Sequence, residues 1–322
     1  MSRIRKIAFE EHFMAPGFDR YAPFLKFIEA GASAELLRRL SDIDEFRLTE
    51  MDAAGIAMTI LSQTGLGVQG ETETRTAIRA AAENNDYLAE RIARHPTRFG
   101  GFASLAMQDP KAAAAELERT VTQLGFHGAL VNGHTLGRYY DDPAYDAVWE
   151  RLQALDVPLY LHPIDFPQIP RTLEGFPVIQ GAAWGWGVET GSHALRLLFS
   201  GVFDRFPRLK VVLGHMGEGL PFQRWRFDSR FCAYPFDVTL ARKPSEYIGS
   251  NILITTSGVC SPAALAGAIA EMGAEAVLFS VDYPYESTAV AAEFIENAPM
   301  DEATRALVCH GNAQRLFRLP IS

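Results

Sequence analysis

The sequence predicts a single (β/α)8 barrel, and three observations indicate it. The chain has 322 residues, a length at which such barrels are common. Short apolar runs rich in branched residues recur along it, each followed by a longer segment with helical periodicity. Eight such repeats can be counted, and no low-complexity linker divides them. We therefore expect residues 1–322 to form one α/β domain.

The predicted strands follow one another in a regular order. The first half of the chain contains KIAF (6–9), MTILS (58–62), GFASLA (101–106) and GALVN (128–132). The second half contains VPLYLH (157–162), KVVLGH (210–215), NILITTS (251–257) and AVLFSVD (276–282). Intervening segments such as DPKAAAAELERTVTQLG begin with Asp-Pro, which is typical of a helix start. The longest connections, residues 13–45 and 163–190, follow strands 1 and 5, at the end where barrel active sites are built.

The composition excludes several classes of function. The formal net charge is −9 and the cationic residues are scattered, which argues against a nucleic-acid-binding protein. No apolar run approaches the roughly 20 residues that span a membrane, and the N-terminal run is too short for a signal peptide. Three cysteines without a CxxC pair fit a reducing cytoplasm. We therefore expect a cytoplasmic protein that acts on a small molecule.

The first strand ends in three adjacent ionisable residues, in the stretch KIAFEEHF. Side chains alternate along a strand, so Glu10 and His12 point to one side and Glu11 to the other. His162 ends the fifth predicted strand, His215 the sixth and Asp282 the eighth. A closed barrel brings these strand ends to one mouth, so the sequence predicts that five side chains converge there: Glu10, His12, His162, His215 and Asp282.

Carboxylate and imidazole ligands together suit Zn²⁺, Mn²⁺ or Fe²⁺. A set of Glu10, His12, His162 and Asp282 would leave coordination positions for water or substrate, as in a catalytic site. Taken singly, a strand-end histidine more often caps backbone groups, and an Asp before Tyr-Pro more often organises a turn. The metal prediction therefore depends on their convergence.

Longer motifs carry a resemblance to a known family. At FEEHF, RLTEMDAAGIAMTILS, GALVNG, YLHP, LGHMGEGLPFQRWRFD and LFSVDYPYE the sequence resembles amidohydrolase-superfamily decarboxylases of the aminocarboxymuconate-semialdehyde decarboxylase type. It is most similar to the γ-resorcylate and 2,3-dihydroxybenzoate decarboxylase group, from residue 6 to about residue 319. One departure is HPIDFP, with Ile164 and Asp165 where many relatives have arginine after His-Pro, so the substrate is left open.

The resemblance implies a divalent metal and nonoxidative loss of CO₂ from an aromatic acid with an ortho hydroxyl. The metal would be Mn²⁺ or Zn²⁺, with Mg²⁺ as a third option, and no organic cofactor is expected. In this hypothesis the metal chelates the carboxylate and the ortho oxygen, and Asp282 protonates the ring carbon before CO₂ leaves. His215, supported by Glu218, would relay the proton from solvent.

Five further residues are candidates for substrate binding. Arg47 and Arg226 could hold the carboxylate, although surface ion pairs are an equal alternative. Asn132 could bond a ring substituent or simply satisfy strand-end backbone. Phe13 and Trp184, in the long connections, could wall an aromatic ring or pack those loops. Exposed aromatic loops could also meet a second subunit, and we expect a homodimer or homotetramer.

Two other functions compete with decarboxylation. A metal-dependent hydrolase of an amide, ester or lactone, or a hydratase, could use the same barrel and ligands. The Glu-x-His opening, in place of His-x-His, and the lack of a bridging lysine after strand 4 argue against a binuclear hydrolase. A noncatalytic, metal-stabilised binding protein is the other alternative, and five ionisable residues at one mouth argue against it.

Overall fold

The computed structural model describes residues 3–22, 25 and 29–319. Within them, eight strands occur in the predicted order: β1 Lys6–Phe13, β2 Ile56–Gln63, β3 Phe99–Gly101, β4 Ala129–Asn132, β5 Leu159–His162, β6 Val211–Leu213, β7 Ile252–Thr255 and β8 Val277–Leu278. The first strand is longer than predicted, whereas the sixth and eighth are shorter because their last residues turn into the mouth.

The strands close into a barrel. They pair in parallel in the order β1-β2-β3 and β4-β5-β6-β7-β8. Single bridges between Ala103 and Ala129 and between Glu11 and Tyr283 join the two sheets at both edges. The predicted (β/α)8 architecture is thereby confirmed, and all strand C-termini lie at one end, which we call the mouth.

Helices cover the outside of the barrel. The described α-helices are α1 Ala30–Ser41, α2 Phe46–Ala54, α3 Thr74–Ile92, α4 Pro110–Gln123, α5 Asp146–Leu155, α6 Pro177–Gln180, α7 Gly185–Phe199, α8 Val202–Arg205, α9 Arg224–Ala233, α10 Pro244–Tyr247, α11 Pro262–Met272, α12 Thr288–Asn297, α13 Glu302–Ala306 and α14 Asn312–Phe317. A π-helical turn, Leu307–Gly311, precedes the last of these. None of these helices is both long and apolar enough to cross a membrane.

Local sequence signals explain several helix starts. The Asp109 carboxylate caps the backbone N–H groups of α4, and Pro110 takes the first position, where no N–H is needed. The predicted loop 13–45 also contains α1, whose start is capped by Glu29, a weaker signal than Asp or Ser. Residues 23, 24 and 26–28 of that connection lie outside the described part.

Apolar side chains fill both the barrel and the layer around it. Inside, Phe9, Phe102 and Tyr160 pack around the axis together with Phe317 of α14. The ring centroids of Phe9 and Phe317 are 5.0 Å apart, so α14 closes the end of the barrel opposite the mouth. Polar groups inside the barrel are therefore concentrated near the mouth.

Strand β1 carries an irregularity that decides which residues face the axis. Its pairing with β2 shifts register between Ala8 and Glu11. At this bulge, the backbone N–H groups of Phe9 and Glu10 both donate to the Ser280 hydroxyl, at 2.8 and 2.9 Å. Phe9 and Glu10 therefore lie on the same side, whereas strict alternation from Phe9 would have pointed Glu10 away from the axis.

Candidate metal centre

Four side chains converge at the mouth as the sequence predicts. Each of Glu10, His12, His162 and Asp282 offers one ligand atom, and these four atoms lie within 4.8 Å of one another. His12 Nε2 is 3.4 Å from Asp282 Oδ1, and His162 Nε2 is 3.6 Å from Glu10 Oε1. We call these four residues the metal group. Two come from β1, one from β5 and one from the segment after β8.

The two oxygens of Glu10 have different surroundings. Oε2 accepts hydrogen bonds from the hydroxyls of Tyr160 and Ser257 and, at 3.4 Å, from Thr255. Oε1 faces the other ligands and has no hydrogen-bond partner among the described residues. The three hydroxyls therefore fix the carboxylate so that one oxygen is available to a cation.

Hydrogen bonds orient the rings of both histidines and set the tautomer of His162. His162 Nδ1 lies 3.0 Å from the carbonyl of Pro163, which can only accept, so Nδ1 carries the proton and Nε2 has a free lone pair. His12 Nδ1 lies 3.2 Å from the Ser62 hydroxyl, so its Nε2 also faces the group. Burial holds the pKa of His162 well below its ordinary value, which favours the neutral ring that a metal requires.

The donor atoms fit a divalent cation. Glu10 Oε1, His12 Nε2 and Asp282 Oδ1 are buried, face one another, and lack hydrogen-bond partners among the described residues. Leaving three such atoms unpaired costs about 1–3 kcal/mol each. Burial also raises the pKa of Glu10, so a nearby positive charge would stabilise its ionised form. A Zn²⁺, Mn²⁺ or Fe²⁺ ion satisfies all three atoms at once.

His215 stands beside the metal group. Its Nδ1 is 2.7 Å from Glu218 Oε1, and its Nε2 is 3.6 Å from Asp282 Oδ2. Burial lowers the pKa of His215, but the charges of Glu10 and Glu218 outweigh it and raise the pKa well above its ordinary value. For Asp282, burial raises the pKa, but the His12 and His215 rings outweigh it and hold the pKa low. These shifts favour a proton on the His215 imidazole over one on the Asp282 carboxylate.

The backbone at this corner is unusual and depends on glycine. His215, Glu218 and Asp282 all have positive φ angles, at 48°, 53° and 79°. A Cβ atom at Gly214 would lie 2.6 Å from Glu10 Oε2, and one at Gly258 would lie 2.9 Å from the His215 ring. Both positions must remain glycine for the carboxylate and the imidazole to occupy their places.

Glu11 and Arg47 lie behind the metal group, outside the barrel wall. Glu11 is buried, its carboxylate accepts the N–H of Val281 at 2.9 Å, and burial raises its pKa to about 8. Arg47 is also buried and donates to the carbonyl of His12, with its guanidinium 4.3 Å from the Tyr283 ring. Arg47 therefore supports the strand that carries the ligands, a different place from the mouth position predicted for substrate binding.

The remaining predicted substrate residues lie in three different environments. Asn132 pairs in register with His162, and its buried Oδ1 has no hydrogen-bond partner among the described residues, so it lies at the mouth. Phe13 instead points outward and stacks on Tyr87 in the core. Trp184 and Arg226 are exposed, and neither side chain makes a hydrogen bond or ion pair with the described residues.

Several residues of the site escaped prediction from the sequence. The hydroxyls of Tyr160, Thr255 and Ser257 orient Glu10. These residues lie within predicted strands, where nothing in the sequence distinguishes them from other strand residues. Tyr285 packs its ring 5.6 Å from that of His12, at the second aromatic residue of DYPYE. Side chains two residues apart on a strand point to the same side. The position of Tyr160, two residues before His162, could therefore have identified it as a neighbour of the metal group.

Comparisons with known proteins agree with this geometry. A profile described as amidohydrolase matches residues 12–319. A γ-resorcylate decarboxylase from Polaromonas sp. is 44% identical over 327 residues, which cover 98% of each chain. A dihydroxybenzoic acid decarboxylase structure from Polaromonas sp., with bound manganese and the inhibitor 2-nitroresorcinol, has a TM-score of 0.94 at 44% identity and covers 99% of this chain and 98% of its own. A 2,6-dihydroxybenzoate decarboxylase complexed with 2,6-dihydroxybenzoate has a TM-score of 0.93 at 43% identity, covering 98% and 99%.

Proposed function

The chain belongs to the amidohydrolase family, and from this membership we propose how its metal group acts. The enzyme is a metal-dependent carboxy-lyase for an aromatic acid. We propose that the acid is a 2-hydroxybenzoate of the γ-resorcylate (2,6-dihydroxybenzoate) type. The observation that carries the proposal is the set of three unpaired, buried ligand atoms that face one another beside the His215–Glu218 pair.

Glu10, His12, His162 and Asp282 would hold one divalent ion, Mn²⁺ in the first place and Zn²⁺ in the second. An ion held there would supply Lewis-acid chemistry to the oxygen atoms of the substrate. The hydroxyls on Glu10 Oε2 keep that ligand in place, and Asn132 offers an amide to a ring substituent.

The chemistry requires a proton at carbon. Breaking the bond between an arene and its carboxylate directly would leave an aryl carbanion, so the ring carbon must be protonated first. In our proposal His215 gives its Nε2 proton to Asp282, and Asp282 delivers it to the carbon that bears the carboxylate. The C–CO₂ bond then breaks, its electron pair restores the aromatic ring, and CO₂ leaves. Glu218 holds His215 in orientation, and the partly exposed imidazole regains a proton from solvent.

We also propose a domain organisation, a cellular compartment and an oligomeric state for the enzyme. We propose that residues 1–322 form one domain, that it works in the cytoplasm, where free Cys232, Cys260 and Cys309 remain reduced, and that it forms a homodimer or homotetramer. The exposed side chains of Trp184, Trp225 and Phe236 support subunit contact. Light scattering on the wild type and on Trp225→Glu would test this, and an unchanged monomeric mass for both would contradict it.

The reaction is tested by incubating the manganese-loaded enzyme with a panel of hydroxybenzoates in D₂O. We expect CO₂ release with deuterium on the vacated ring carbon, fastest for acids with an ortho hydroxyl. If no hydroxyaromatic acid reacts while a lactone or amide is opened, the enzyme is a hydrolase and the proposal fails.

The role of Asp282 is tested by Asp282→Asn, which should lower kcat by about a thousandfold or more, because the amide cannot deliver a proton. Glu83→Gln is the control, since Glu83 is an exposed carboxylate on α3 outside the metal group and should retain normal turnover. Substantial turnover in Asp282→Asn would exclude Asp282 as the donor.

A further inference from the structure

A cavity lies at the end of the barrel opposite the metal group. Its volume is about 400 Å³, and it lies between α14 and the residues that precede β5, β6 and β7. Because the metal ligands follow the C-terminal ends of the strands, this cavity is separated from them by the packed barrel interior. We call it the basal cavity, and its charged lining residues are Asp156, Arg208, Lys210, Glu275, Arg315 and Arg318.

The charge of the basal cavity is opposite in sign to that of the whole chain. Four of its lining residues are cationic and two are acidic, in a protein with a formal net charge of −9. Arg318 pairs with Asp156. Within the described residues, no carboxylate lies within ion-pair distance of Arg208, Lys210 or Arg315, and the three converge from two separate segments of the chain.

These three cations contrast with arginines elsewhere on the surface. Arg98, Arg119 and Arg196 each bond a carboxylate oxygen, at 2.6, 2.7 and 2.8 Å. A protein with an excess of carboxylates has partners available for its cations. Unlike these three arginines, the cations Arg208, Lys210 and Arg315 have no carboxylate among the described residues that would compete with an anionic ligand.

Most donor groups of these cations remain available. Arg208 donates to the carbonyl of Gln153 at 3.4 Å, and Arg315 donates to Asn312 Oδ1 at 2.7 Å. A guanidinium has five N–H donors, so several remain on each side chain. Lys210 donates to the Ser250 carbonyl and is half-buried. Burial and the nearby Arg242 both lower the pKa of Lys210, so an anion bound beside it would stabilise its charged form.

We propose that the basal cavity binds a dianionic phosphate group, with Arg208, Lys210 and Arg315 as its ligands. Guanidinium forks match phosphate oxygens, and a lysine adds a compact charge, which is the combination that phosphate sites use. The volume exceeds that of inorganic phosphate, so a small phosphate monoester also fits. The site would be separate from catalysis, and its existence does not depend on the decarboxylase proposal.

Binding is tested on the metal-loaded enzyme after excess metal has been removed. Inorganic phosphate and glucose 6-phosphate are titrated at constant ionic strength, and binding is followed by calorimetry and by the melting temperature. We expect saturable binding and a rise in melting temperature for at least one of the two. Tighter binding of the sugar phosphate would identify a monoester site, and equal binding an inorganic phosphate site.

Three variants locate the site. Lys210→Met and Arg315→Met should each weaken binding about tenfold or more, because each removes one charged ligand. Lys111→Met removes the same charge from the exposed surface of α4 and should bind as the wild type does. The proposal is overturned if no saturable binding occurs up to about 10 mM, or if both cavity variants bind as tightly as Lys111→Met.

Discussion

The carboxylate of Glu10 illustrates how one side chain is divided between two tasks. Its Oε2 accepts hydrogen bonds from hydroxyl groups, and its Oε1 faces the other members of the metal group. Neighbours that orient a metal ligand commonly change metal affinity by 10- to 100-fold. The hydroxyl of Tyr160 is therefore a residue-scale determinant of metal binding.

Tyr160→Phe should weaken Mn²⁺ binding by about tenfold, since it removes a donor from Glu10 Oε2 without opening a cavity. Affinity is measured by competition with a fluorescent chelator. Tyr145→Phe is the matched control, because the buried Tyr145 hydroxyl has no hydrogen-bond partner among the described residues. Equal affinities in the two variants would show that the hydroxyl does not orient Glu10.

Glu189 on α7 is a second buried carboxylate, outside the metal group. It is 1% exposed, and neither oxygen has a hydrogen bond of ordinary geometry among the described residues. Burial raises the pKa of Glu189, Tyr139 opposes this rise and the charge of Glu218 adds to it, and together they place the pKa at about 7. The folded protein therefore binds this proton more tightly than the unfolded chain does.

Stability should consequently fall as pH rises from about 4.5 through 7, because the folded state must then ionise a buried group. Glu189→Gln should melt close to the wild type at pH 5 and be more stable at pH 8, by at most roughly 3 kcal/mol. Denaturant unfolding at both pH values measures this, with the exposed Glu83→Gln as control. A difference that does not change with pH would contradict the raised pKa.

At the scale of the element, strand β1 decides the site. Its bulge allows Phe9 to fill the barrel while Glu10 and His12 face His162 and Asp282, the other members of the metal group. Ser280 satisfies both N–H groups that the bulge removes from the ladder. A buried N–H without a partner costs about 1–3 kcal/mol, so the serine hydroxyl stabilises the irregular backbone.

Ser280→Ala should lower the free energy of unfolding by roughly 2–4 kcal/mol and also weaken metal binding. The second effect follows because the bulge sets the positions of Glu10 and His12. Chemical denaturation and metal titration give the two quantities. Ser192→Ala, on the exposed side of α7, should change both by less than about 0.5 kcal/mol. Loss of stability with normal metal affinity would show that the bulge persists without the hydroxyl.

The elements differ in how far the sequence could predict them. Strand order and the convergence of Glu10, His12, His162 and Asp282 follow from hydrophobic periodicity and barrel geometry. The bulge could not be predicted, because it depends on Ser280, some 270 residues away in the chain. The same holds for Arg47, whose burial against His12 and Tyr283 is a tertiary contact with no local signal.

At the scale of the whole molecule, the metal links distant parts of the barrel. The four residues proposed to hold it come from β1, β5 and the segment after β8, so a bound ion would stabilise the closed fold by mass action. In the absence of metal, the carboxylates of Glu10 and Asp282 face each other in a buried site, which adds repulsion.

Chelation should therefore lower the melting temperature by about 5 °C or more, and added Mn²⁺ should restore it. Differential scanning calorimetry measures both changes. In His12→Ala, which lacks one ligand, the chelator should have a much smaller effect. A melting temperature that is insensitive to chelation in the wild type would mean that the group holds no stabilising ion.

The contact between β1 and the segment after β8 has a consequence for the synthesis of the protein. Glu10 and His12 are synthesised before most of the barrel, whereas Asp282, whose N–H bonds the carbonyl of Glu10, is synthesised after β8. The nascent chain therefore cannot assemble the four proposed ligands until Asp282 has left the ribosome. A product truncated before β8 would lack Asp282, and we expect it to retain the ion poorly.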